Sequence, residues 1–248
     1  MLYDDLDDDF VNTGVGRVHC KMHDGGGAKI VFLHGFAGST RSWTRLVPLL
    51  PDDLCVCLLD LLGHGESEAP KIKYTVAVHV RAVRELMADR GLEDCYLFGH
   101  SYGGWIAASM AQQDFAGQGI ILEDAIGLKD YFDDAGRERG EAAFKDKWAR
   151  EARMFNLGKD VIDGSIGAEL SGEFLTEESL SKIRKRTLVI WGDRDTEVDV
   201  KYGRLMSEYI AGSRLEIVPG GGHVSHYTNA DTVKSVLMEF IAAGHGRE

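Results

Sequence analysis

The stretch Cys95-Tyr-Leu-Phe-Gly-His-Ser-Tyr-Gly-Gly-Trp105 decides how the chain is read. Its first four residues have the aromatic and aliphatic character of a strand buried on both faces, and the run then breaks into glycines two before and two after one serine. Helix-forming residues follow, Trp105-Ile-Ala-Ala-Ser-Met-Ala111. A strand, then G-x-S-x-G, then a helix is the context of a nucleophile elbow, a turn so tight that the neighbours of the serine must lack a side chain or clash. Such a turn would lift the Ser101 hydroxyl above the sheet. It would also aim the N–H groups of the following helix at charge developing on a substrate.

Working outward, the same pattern recurs. Lys29-Ile-Val-Phe-Leu-His34, Leu54-Cys-Val-Cys-Leu-Leu-Asp60, Gly119-Ile-Ile-Leu-Glu123, Thr187-Leu-Val-Ile-Trp191 and Arg214-Leu-Glu-Ile-Val218 are short apolar runs, each read as a buried strand. A pair of strands is expected earlier, around Gly16 to Met22. Between the runs, apolar residues take helical spacing: Trp43, Leu46, Val47 and Leu50; Val76, Val80, Val83 and Leu86; Ile106, Ala107, Met110 and Ala111; Val233, Val236, Leu237 and Phe240. Continuously apolar strands alternating with helices predict an α/β fold, a mostly parallel central sheet with helices on both faces.

One interval breaks the rhythm. From residue 126 to 186 no strand is expected, and Arg137 to Phe155 is charged and helical, with Phe144, Trp148, Ala152 and Phe155 near one face. So long a strandless stretch between two sheet strands predicts a helical insertion. The expected domains are therefore a core of residues 1–125 and 187–248 and a helical cap, or lid, at 126–186 over the C-terminal edge of the sheet, where open α/β sheets bind ligands. Extra helices packed away from any site are the plainer alternative.

Composition narrows the function classes. With 28 basic against 40 acidic residues the formal charge is −12, which speaks against a nucleic-acid or anionic-membrane surface. The most basic run, Lys182-Ile-Arg-Lys-Arg186, reads as a solvated helix end. No run approaches the roughly 18 consecutive apolar residues of a membrane span, and Met1-Leu-Tyr-Asp-Asp-Leu-Asp-Asp-Asp9 is acidic where a secretory signal is basic then apolar. A cytoplasmic protein is expected. The four cysteines form no C-x-x-C pair, so buried reduced thiols are expected, with no metal and no redox role.

A serine hydroxyl is a weak nucleophile without a base beside it and an acid to orient that base. Among nine histidines, His223 is favoured because Pro219-Gly-Gly-Gly-His-Val-Ser-His226 follows the last strand, where the chain must return over the elbow; His226 is its competitor. For the acid, Trp191-Gly-Asp-Arg-Asp195 places two carboxylates after a strand, Asp195 being the choice and Asp193 a turn-former. Glu123 and Asp124 are rivals. The order Ser101, Asp195, His223 puts each group beyond a successive strand. An oxyanion hole would draw on the N–H of Tyr102 and, from His34-Gly-Phe-Ala-Gly-Ser39, the N–H of Phe36. His34-Gly35 could also be only a strand-to-helix turn. His100 is expected to be structural, and His34, Trp105, Trp148 and Phe155 are the candidate pocket residues.

Leu33-His-Gly-Phe36, Asp60-Leu-Leu-Gly-His-Gly-Glu-Ser67, Gly99-His-Ser-Tyr-Gly-Gly104, Trp191-Gly-Asp-Arg-Asp195 and Gly221-Gly-His223 together resemble the α/β-hydrolase family of the lidded type, from about residue 29 to 243. Leu61-Leu62 stands where the family commonly has a proline. The resemblance implies a serine hydrolase acting through an acyl-enzyme, without metal or organic cofactor, on a small-molecule carboxylic ester or thioester. It also implies that the Asp60 to Ser67 segment is a scaffold turn. Two other chemistries of the fold stay open: carbon–carbon hydrolysis of vinylogous diketones, and a menaquinone-pathway lyase, for which an arginine is expected soon after the elbow where this chain has Trp105. A non-catalytic ligand-binding member of the fold is the reading from another class.

Overall fold

Strands apolar on both sides are stable only when both faces of their sheet are covered, and the architecture follows from that. The computed structural model describes residues 1–139, 146, 149–150, 157–158, 161 and 173–245. Eight strands, β1 (Asp7–Thr13), β2 (Gly16–Asp24), β3 (Lys29–Leu33), β4 (Cys55–Leu59), β5 (Tyr96–His100), β6 (Gly119–Glu123), β7 (Arg186–Gly192) and β8 (Arg214–Val218), lie in the order β1-β2-β4-β3-β5-β6-β7-β8. From β4 to β8 every pairing is parallel; β2 runs antiparallel to both its neighbours.

The described helices are α1 (Val76–Asp89), α2 (Tyr102–Ala111), α3 (Lys129–Arg139), α4 (Glu177–Leu180), α5 (Val200–Tyr209), α6 (Ser225–Thr228) and α7 (Ala230–His245). Alternation along β5 divides the core in two. Tyr96 and Phe98 join Phe32, Trp43, Leu237 and Phe240 on one face, while Leu97 joins the α1 and α2 residues Val83, Leu86, Ile106 and Met110 on the other. All four cysteines are buried and free, and burial pushes the Cys95 thiol up to about 12.

The structure departs from two expectations. The segment from Trp43 to Leu50 has helical spacing but forms only two short 3₁₀ turns, Thr40–Trp43 and Val47–Leu49, because Pro48 supplies no N–H to continue an α-helix. The N-terminal strand pair is also longer than expected, since β1 begins at Asp7. Within 126–186 the described residues include α3, α4 and a parallel bridge between Leu128 and Leu175. No helix among the described residues is long and apolar enough to cross a membrane.

Candidate active site

β5, β7 and β8 end at one edge of the sheet, and the three residues singled out for chemistry stand on the segments that follow them. Ser101 joins β5 directly to α2 with φ 50° and ψ −112°, a left-handed backbone that a non-glycine residue rarely adopts. The turn is pinned on both sides: the Ser101 N–H donates to the Glu123 carbonyl at 2.9 Å, and the Ser101 carbonyl accepts from Trp105 and Ile126, each at 3.2 Å. A Cβ on Gly103 would run into the Leu33 carbonyl, which explains the glycine after the serine.

His223 Nε2 lies 3.0 Å from Ser101 Oγ, and His223 Nδ1 lies 2.8 Å from Asp195 Oδ2. The other oxygen of Asp195 accepts the backbone N–H groups of Glu197 (2.7 Å) and Val198 (3.0 Å), which fixes the carboxylate in the plane it presents to the imidazole. The Asp195 side chain is fully buried while His223 keeps 21% exposure, so the ring faces the solvent side of the site and the acid does not. Asp193 ties the two loops together by accepting the Gly220 N–H at 2.7 Å, and Arg194 N–H donates to the Gly221 carbonyl at 2.8 Å.

The rivals make other contacts. Glu123 accepts both the backbone N–H of His226 and its Nδ1–H at 2.7 Å, a buried pair behind the elbow. Asp124 lies beside Asp195. His100, its pKa pushed well below the ordinary imidazole value by burial and then by His226 and His223, donates from Nε2 to the His223 carbonyl at 2.6 Å. It also packs so closely on the first loop that a Cβ on Gly35 would come within 2.7 Å of His100 Nδ1.

A cavity of about 300 Å³ opens over Ser101 and His223, walled by Phe36, Ile126, Tyr131 and Val198. Phe36 thus stands at the cavity, and Tyr102 is the first residue of α2, whose leading N–H groups have no acceptor one turn back. Two of the expected pocket residues do not line this cavity. His34 is fully buried; its Nδ1–H donates to the Gly35 carbonyl at 2.7 Å and its Nε2 accepts the Leu61 N–H at 3.0 Å, so it braces the first loop against the Asp60 turn. Trp105 is covered by the 173–175 segment, stacked on Phe174 and donating Nε1–H to the Glu173 carbonyl at 3.0 Å. Trp148 and Phe155 lie outside the described residues. Ile126, Tyr131 and Val198 carry no motif. Their only signal was position, each shortly after a strand that ends at this edge.

The Asp60 turn is scaffold, as the resemblance implied: Asp60 accepts N–H groups of Thr40 (2.6 Å) and Glu66 (2.9 Å) and faces His19 Nδ1 at 2.7 Å. Below it lie His64, His79 and Tyr102, in ring contact and buried. Neither ring nitrogen of His79 has a partner among the described residues, and burial, then nearby His34, pushes its pKa down to about 3. A histidine titrating near 6.5 when unfolded and near 3 when folded is protonated first in the unfolded chain. Stability therefore falls as pH drops from about 6.5 towards 3. His79→Leu should flatten that acid limb by up to about 1.4 kcal/mol per pH unit and raise the urea midpoint at pH 5 more than at pH 7.5. Equal shifts at the two pH values would refute the burial argument.

The alpha/beta hydrolase family matches residues 30–235. The chain belongs to that family. Among its curated relatives is the dihydrolipoyllysine-residue acetyltransferase component of the acetoin cleaving system of Cupriavidus necator, 25% identical over 91% of this chain and 66% of that protein. The chain thus spans about two thirds of that relative's length. A 2-succinyl-6-hydroxy-2,4-cyclohexadiene-1-carboxylate synthase of an Enterobacter species is 27% identical over 86% of this chain and 91% of its own. Among solved structures, a membrane phospholipase A described as a bacterial virulence factor superposes with a TM-score of 0.80 at 23% identity, covering 98% of this chain and 88% of that one. This likeness shows the α/β-hydrolase fold.

Proposed function

We propose that the protein is a serine hydrolase that cleaves a carboxylic ester or thioester of small to medium acyl chain. The observation that carries this reading is the line from Asp195 Oδ2 through His223 to Ser101 Oγ, at 2.8 and 3.0 Å. Ser101 Oγ attacks the carbonyl carbon while its proton passes to His223 Nε2; Asp195 holds the ring in the tautomer with its proton on Nδ1 and stabilises the imidazolium. The carbonyl oxygen becomes an oxyanion facing the N–H groups of Phe36 and Tyr102. The C–O (or C–S) bond then breaks and the leaving group takes the proton from His223. Water repeats the sequence on the acyl-enzyme, returning the acid product and free Ser101. No step requires a metal or organic cofactor. The segment 126–186 is taken as the lid of this site.

Carbon–carbon hydrolysis uses the same three groups, and the synthase relative keeps lyase chemistry in view. Trp105, the neighbour of the elbow, contributes no cation there and is buried under Phe174. A cavity of about 300 Å³ is at the small end for ligand sites, which supports a short acyl group. On p-nitrophenyl esters from acetate to palmitate, assayed beside a ring-cleavage diketone, kcat/KM should peak at the short to medium esters and fall at least about tenfold by palmitate, one missing or clashing methylene being worth 1–3 kcal/mol. Turnover of the diketone alone would overturn the ester reading. Failure to turn over or covalently label with any of these or with a fluorophosphonate would favour a binding role.

A further inference from the structure

Asp124 stands beside the site, and the reaction gives it no task. It follows β6 with φ 44°, a left-handed conformation unfavourable for a residue with a Cβ, and its carboxyl is buried. Its Oδ1 accepts the Gly192 N–H at 2.9 Å, and its own N–H donates to the Ile190 carbonyl at 3.0 Å, so it is clamped to the end of β7 just before the Asp195 loop. Its Oδ2 finds no donor among the described residues, yet its carboxyl lies within hydrogen-bonding reach of the Asp195 side chain.

Two carboxyl groups side by side in a dry site repel when both are charged, which favours a proton on one of them. Their surroundings differ. Asp195 faces three N–H groups, from Glu197, Val198 and His223, all of which favour an ionised oxygen. Asp124 faces one, from Gly192, with the carboxylate of Glu123 adjacent in the chain and Asp195 in front. Beyond Glu123 stands its partner His226, and beyond Asp195 stands His223. We propose that Asp124 is a positioning residue of this site, a neutral carboxylic acid that donates its Oδ2–H to Asp195 and so fixes the carboxylate that orients His223. Burial, then the charge of Glu123, pushes the Asp124 pKa well above the ordinary carboxylate value, consistent with that state. The role rests on the ester-hydrolase reading; the protonation state does not.

The experiment separates the two. In the infrared spectrum of the whole protein in D₂O, the wild type at pH 7 should show one protonated-carboxyl C=O band that is absent from Asp124→Asn. Without such a band, the proposal falls. The rate of fluorophosphonate labelling of Ser101 then reads the role. Asp124→Ala should lower it about 10- to 100-fold, as losses of supporting partners do, and Asp124→Asn, whose amide keeps both the donor and the acceptor, should recover it to within about threefold. As pH rises and Asp124 ionises, the wild-type rate should fall relative to Asp124→Asn, which has no proton to lose. A residue that only packs would give Asn and wild type the same alkaline limb, and an Asn variant as slow as Ala would also overturn the role. A band present with no labelling of any form would leave the shared proton standing and sink the hydrolase reading instead.

Discussion

Ser101→Ala should lower kcat/KM for the best p-nitrophenyl ester by about 10⁴- to 10⁶-fold and abolish fluorophosphonate labelling, while the protein stays folded. The size follows from the part the proposed reaction gives the serine. In that reaction the covalent intermediate needs the Oγ, and without it only the proposed oxyanion site and a bound substrate would be left to act on water. His223→Ala should cost about as much, because the hydroxyl 3.0 Å away then has no base. The double variant should be no worse than either single one, since the two groups act as a unit and their losses do not add. Steady-state rates of the three purified variants check this. Independent, additive losses would mean that the close approach of Ser101 and His223 has no part in the chemistry, and residual activity near wild type in Ser101→Ala would end the serine-hydrolase reading.

The convergence of Ser101, Asp195 and His223 at one edge was legible in the sequence, while the cavity walls were not, for a physical reason. Ser101, Asp195 and His223 each follow a continuously apolar strand, and a parallel sheet brings the ends of such strands to one edge whatever lies between them. Glycines at 99 and 103 are required by backbone contact and so leave a mark in the sequence. Cavity walls obey no such rule. Ile126 and Val198 are ordinary apolar residues whose role depends on which loop lies over which, and Trp105, expected at the pocket, turned instead under Phe174. His34 misled for a related reason: a histidine beside a glycine turn at a strand end looks available, but both its nitrogens are spent on Gly35 and Leu61. At the N-terminus, the Asp7-Asp8-Asp9 run concealed the start of β1. It is an edge strand, where exposed charge is tolerated and guards against pairing with another chain, so its pattern is not that of a buried strand.

The tightness of the elbow makes the second large prediction one of stability. A Cβ built on Gly99 would sit against the Gly103 carbonyl and the Gly104 N, backbone atoms that cannot turn aside as a side-chain tip could. Gly103 in turn is pressed on the Leu33 and His34 carbonyls at the end of β3, so strain at residue 99 passes directly into the first loop and Phe36. Gly99→Ala, a change of one methyl group, should therefore cost at least about 3 kcal/mol, beyond the usual range for a single methyl. In a chain of this size that corresponds to a melting midpoint lower by about 6–12 °C. Gly222→Ala is the matched control: it adjoins His223, yet a Cβ there meets nothing within 4 Å, and the change should stay within about 0.5 kcal/mol. Calorimetry on both variants gives the comparison. If the two melt alike, the turn between β5 and α2 has slack, and the left-handed backbone at Ser101 is no longer evidence that the fold holds this serine in a strained, outward position.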